Sequence, residues 1–145
     1  MEYKIIYNPN YTDVVKIGLI IQPDNDPLKF FLSGVNLKNF PELIEYVSGS
    51  NSWGQEFISI RFFNDMDWED KAELNKIGGI KEGEVSVYHQ IMGGNTVLKE
   101  QLFDKILFDY STKLLEVYKE DRTLPENWVF KMEEGLKKLK EKIYK

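Results

Sequence analysis

"HQIMGGNTVLKEQLFDKILFDY", residues His89–Tyr110, holds the transitions that decide the fold. The stretch before it, Glu82–Met92, ends in strict alternation. Val85, Val87, His89 and Ile91 fall on one face, and Ser86, Tyr88, Gln90 and Met92 on the other, which is the period of a strand. Gly93-Gly94-Asn95 then supplies residues that accept positive φ, as a tight hairpin needs. Thr96–Lys99 reads as a short return strand. Leu102, Phe103, Ile106, Leu107, Tyr110, Leu114, Val117 and Tyr118 follow at three- and four-residue steps, predicting a helix over about Glu100–Lys119.

The same reasoning extends outward. Tyr3–Tyr7 and the β-branched Val14–Gln22 predict two strands. Pro23–Pro27, "PDNDP", predicts a turn, and Leu28–Val35 a third strand that would form a hairpin with the second. Asn39–Gly49 predicts a short helix, with Asn39 as cap, Pro41 in the first turn and Gly49 as stop. "SNSWGQ" reads as a loop and Glu56–Phe63 as a strand. Asn64–Gly79 predicts an acidic helix starting near Asp67 and stopping at Gly78. Pro125 opens a final helix whose apolar stripe is Trp128, Val129, Met132, Leu136, Leu139 and Ile143. Its Lys137, Lys138, Lys140 and Lys142 are expected on the solvent side. The expectation is one α+β domain over residues 1–145, with a mostly antiparallel sheet of about six strands and helices packed mainly on one face.

Composition narrows the function. The chain has 145 residues, 42% of them hydrophobic and 30% charged, and a formal net charge of −5. Residues 1–120 carry twelve Lys and Arg against nineteen Asp and Glu, whereas residues 121–145 carry seven against five. An acidic body argues against nucleic-acid binding, which needs a basic face to release counterions. The absence of Cys excludes disulfides, thiol catalysis and thiolate metal sites, and fits a cytoplasmic protein. Neither a signal peptide nor a run long enough to span a bilayer is visible.

Few residues offer chemistry. His89 is the only histidine, and its neighbours on the strand face, Val87 and Ile91, are apolar. General base and metal ligand are the sharp readings, and each needs partners. A half-buried strand residue with one ring nitrogen hydrogen-bonded is the plainer one. The Gly93-Gly94 pair lacks the spacing of a phosphate loop. Asp65, Asp67, Glu69 and Asp70 suggest a calcium loop, but its sixth position would be Asp70 rather than Gly and its twelfth Lys76 rather than Glu. A solvated helix start explains these acids, and so does an acidic recognition patch around Trp68. No catalytic, cofactor-binding or metal-ligating set emerges, and an enzyme is not expected.

The stretch "EVSVYHQIMGGNTVLKEQLFDKILFDYSTKLLEVY" resembles a pattern in bacterial immunity proteins of polymorphic and contact-dependent toxin systems. There a strand and a Gly-Asn turn lead to a short strand and an acidic amphipathic helix. The resemblance covers about residues 85–118. It implies a cytoplasmic inhibitor that binds a cognate toxin domain, many such toxins being basic nucleases, and occludes it without a cofactor. The surface expected to bind that partner is Trp53, Asp65, Asp67, Trp68, Glu69 and Asp70, aromatics beside carboxylates. A non-inhibitory accessory or scaffold domain and a small carboxylate-based enzyme are the alternatives.

Overall fold

The computed structural model describes residues 2–10, 15–76, 78–92 and 94–145. In chain order the elements are β1 (Glu2–Tyr7), β2 (Ile17–Gln22), α1 (Asp26–Gly34), α2 (Phe40–Ser48), β3 (Trp53–Gln55), β4 (Ile58–Phe62), α3 (Trp68–Asn75), β5 (Glu84–His89), β6 (Gly94–Lys99), α4 (Glu100–Tyr118) and α5 (Trp128–Ile143). The fold is α+β, with five α-helices and six strands among the described residues. The strands do not make one sheet. β1 and β2 form an antiparallel pair, and β3-β4-β5-β6 form a separate antiparallel sheet.

That division follows from a correction at Leu28–Val35. The expected third strand is helix α1. Asn25 caps it, its side-chain Oδ1 accepting from the Leu28 N–H at 3.1 Å, and Pro27 sits in the first turn, where a missing N–H costs nothing. Leu28, Phe31 and Leu32 then fall on one helical face, each at most 1% exposed. With α1 helical, β2 pairs with β1 instead, from Glu2 opposite Gln22 to Tyr7 opposite Ile17. Val14, expected to begin β2, lies outside the described residues, as does Gly93 of the hairpin turn.

The remaining elements follow the periodicity closely. β5 and β6 pair from Glu84 opposite Lys99 to His89 opposite Gly94, and Gly94 has φ of +71°, a conformation that favours glycine. The return strand is therefore two residues longer than its Thr96–Lys99 core. The acidic helix starts at Asp67 as expected, after a 3₁₀ turn at Phe63–Asp65, and ends at Asn75, ahead of Gly78 with φ of +115°. Asp67 is its cap, accepting from the Asp70 N–H at 2.8 Å.

One contiguous core joins the elements. Ile58, Ile60 and Phe62 of β4 and Val85 and Val87 of β5 pack with α1, α2 and α4 residues. Phe31 meets Trp53 and Phe103 edge-on, and Phe40 stacks on Tyr110. A smaller cluster of Met66, Leu74 and Ile80 takes in Val97, whose side chain alternates with the core-facing Leu98. The helix α3 thus lies against the sheet face opposite α1. Among the described residues no helix is long and apolar enough to cross a membrane.

The contact between α2 and α5 is close. A Cβ at Gly135 would stand 3.0 Å from Ile44 Cγ2, and Ile44 is fully buried. In an open helix Gly→Ala stabilises by about 1 kcal/mol. Here overpacking wins, and Gly135→Ala is expected to lower stability by about 1 kcal/mol in a urea titration, with an unchanged slope.

Candidate functional site

The acidic segment is built where β4 leaves the sheet. Strand alternation buries Phe62, and the 3₁₀ turn swings Asp65 back over the β3–β4 region. Its Oδ2 accepts the backbone N–H of Ser52 at 2.7 Å, while the Ser52 hydroxyl accepts from the Phe62 N–H at 3.2 Å. Met66 and Leu74 turn inward and hold the short helix to the sheet. Asp70 faces Arg61 across 3.4 Å, and Lys71 stands 4.1 Å from the centre of the Phe63 ring. The part-exposed Arg61–Asp70 ion pair contributes little, about 0–1 kcal/mol.

Trp68 stands out. It opens α3, follows the capping Asp67, and is 75% exposed. Its neighbours Asp67 and Glu69 are exposed as well. Asp65, Asp67, Trp68, Glu69 and Asp70 therefore lie together on one short segment. Trp53 does not join them as an exposed anchor. The expected loop "SNSWGQ" contains strand β3, Trp53 is 6% exposed, and its indole N–H donates to Glu42 Oε1 at 2.8 Å.

At the opposite end of β4, His89 pairs with Ile58 and is half buried. Its Nδ1 accepts from the backbone N–H groups of Ile91 and Met92 at 3.3 and 3.0 Å, and its ring meets Phe30 edge-on. That matches the plainer reading of a strand histidine with one nitrogen hydrogen-bonded. Phe57, Ile91 and Met92 around it are 47, 67 and 48% exposed. The strand expected to run to Met92 ends at His89, and Ile91, expected on the face of Val87, lies instead in the exposed turn beyond it.

A third cluster joins α2, α4 and α5. Lys142, expected on the solvent side of α5, turns inward. Its Nζ lies 3.0 Å from Glu100 Oε2, 3.1 Å from Asp104 and 2.8 Å from the Val47 carbonyl oxygen, with the Phe62 ring beneath it. Ser50 adds a hydroxyl to Glu100 at 2.9 Å. Burial pushes the Asp104 carboxyl up to about 6, against the pull of Lys142, and Glu100 adds to the rise. The available signal was Glu100 and Asp104 four residues apart on α4, a like-charge pair one side of which falls among Phe103, Leu107 and Ser111. The cluster is closed by its own ion pairs, and its chemistry is that of a clamp between α2, α4 and α5.

Comparison with known protein families, curated proteins and solved structures finds no match to this chain.

Proposed function

We propose that this chain is an immunity-type binding protein that neutralises a cognate bacterial toxin by binding and occluding it, acting in the cytoplasm without catalysis or cofactor. One observation carries the reading: a tryptophan 75% exposed among four carboxylates, on a helix capped and held by only a few buried side chains. Leaving an indole in water is unfavourable unless a partner covers it, and Trp is enriched among residues that dominate interfaces. The surrounding charge suits a basic partner such as a nuclease domain, which it would attract over distance. The resemblance over residues 85–118 supports the same class. We also read the helices as packed mainly on one face of the four-stranded sheet, with α3 the exception, so that α3 is the element most readily given over to a partner.

The decisive experiment begins with the reading frame next to this gene. An upstream toxin whose C-terminal domain co-purifies with this protein would supply the partner. Asp65, Asp67 and Asp70 are then changed together to Asn, which retains a capping oxygen at position 67. The association rate at low salt is expected to fall about tenfold, and its salt dependence to flatten. An unchanged rate with an unchanged salt slope would remove this surface from the reading.

A further inference from the structure

We infer that the His89 end of the four-stranded sheet is a separate docking cleft for an extended main-chain segment carrying an apolar side chain beside a basic one. The cleft, about 520 Å³, lies between the end of α1 and the β3–β4 turn and includes Gly34, Gln55, Glu56, Phe57 and His89. That volume is in the range that holds a few residues of peptide.

Three features select the occupant. The first is an oriented donor. Because Nδ1 of His89 accepts two backbone N–H groups, the ring proton resides on Nε2, which has no hydrogen-bond partner among the described residues. The edge contact with Phe30 and the absence of a side chain at Gly34, where a Cβ would lie 3.8 Å from Nε2, fix the ring and leave room beside it. A carbonyl oxygen satisfies such a donor. The second is charge: among the described residues Glu56 is the only carboxylate lining the cleft, and no Lys or Arg lines it. An acidic ligand is therefore disfavoured, and a peptide N–H or a neighbouring Lys or Arg is favoured. The third is exposed apolar surface: Phe57 lines the cleft, and Ile91 and Met92 follow in the turn that binds His89 through their N–H groups and Phe57 through the Gln90 N–H, which donates to its carbonyl at 2.7 Å. Exposed apolar residues grouped in this way mark interaction sites, while single ones do not. A peptide unit with one apolar and one basic side chain meets all three.

This cleft and the Trp68 segment lie at opposite ends of β4, so either can fail without the other. The test uses acetyl-Leu-Lys-methylamide titrated into the ¹⁵N-labelled protein. Saturable shifts at Gly34, Phe57 and His89 Nε2 in the millimolar range are expected, at least threefold weaker for acetyl-Leu-Glu-methylamide. His89→Phe, which keeps the ring and loses the donor, should weaken binding at least fivefold. Since that change also removes two acceptors from the turn, Phe57→Ser with Ile91→Ser tests the apolar rim on an intact turn and should weaken binding similarly. Absence of saturable shifts, equal affinity for the two peptides, or unchanged affinity in both variants would overturn the inference.

Discussion

Lys142→Met is expected to destabilise the protein by about 3–5 kcal/mol, the cost of leaving the buried Asp104 and the partly buried Glu100 without their cation. The substitution keeps the length and apolar stem of the side chain, so what is lost is the ammonium, with its ion pairs, its bond to the Val47 carbonyl and its place over the Phe62 ring. Asp104 is 2% exposed and carries the larger share, since burial raises its carboxyl to about 6 even with Lys142 in place. The sign of the pH dependence follows. The folded protein holds the Asp104 proton more tightly than the unfolded chain, whose value is 3.8. The stabilisation from that proton is complete below the unfolded value and is lost as pH rises through about 6. Two units correspond to about 3 kcal/mol. In Asp104→Asn, which still offers Lys142 an oxygen, this contribution disappears. Relative to the native sequence, the Asn variant should therefore gain stability between pH 4 and pH 7.5, by up to about 3 kcal/mol in denaturant titrations. Taking the difference between the two proteins cancels the other carboxylates. Parallel stability curves for the two would contradict the assignment.

The second large effect concerns recognition. Trp68→Ala should weaken binding to the proposed toxin partner about 30-fold or more, the scale of a central aromatic residue at an interface. Its effect on folding should be within about 0.5 kcal/mol, because the side chain is largely in water. The two measurements separate a recognition residue from a structural one: a fall in melting temperature with unchanged affinity would place Trp68 in the fold. The loss is expected in the dissociation rate, whereas the Asn substitutions at Asp65, Asp67 and Asp70 act on association.

Much of this architecture is legible in the residues. The stripes of α4 and α5 are long enough for period 3.6 to be unambiguous, and every residue of both stripes is buried or packed on the core. The β5–β6 hairpin and the Asp67 cap are equally local. Leu28–Val35 reads as a strand because Phe30, Phe31, Leu32 and Val35 suit one by composition, while "PDNDP" resembles a turn. Asn25 followed by a proline at the start of an i, i+3, i+4 pattern was the competing helix signal, and it prevails because α1 buries Leu28, Phe31 and Leu32 together. The candidate site was half legible. The acids and Trp68 share one segment and must lie near one another. The burial of Trp53 depends on α1 and α2, and the inward turn of Lys142 on carboxylates about 40 residues earlier in the chain; periodicity carries neither.

The helix α1 carries a further consequence through the residue that starts it. Asn25 caps α1 with one side-chain atom and with the other reaches Thr96 Oγ1 on β6 at 3.1 Å. Tyr3 likewise donates to Asp109, the Lys16 N–H to the Tyr118 hydroxyl, and the Trp128 indole to the Leu37 carbonyl. Each of these bonds ties the first third of the chain to its later part. A polypeptide severed between Asn75 and Ile80 would thus yield two pieces, each carrying one side of the same core. Neither could settle alone, and the pair would regain order only by reassembling, as the two parts of a conditional reporter do.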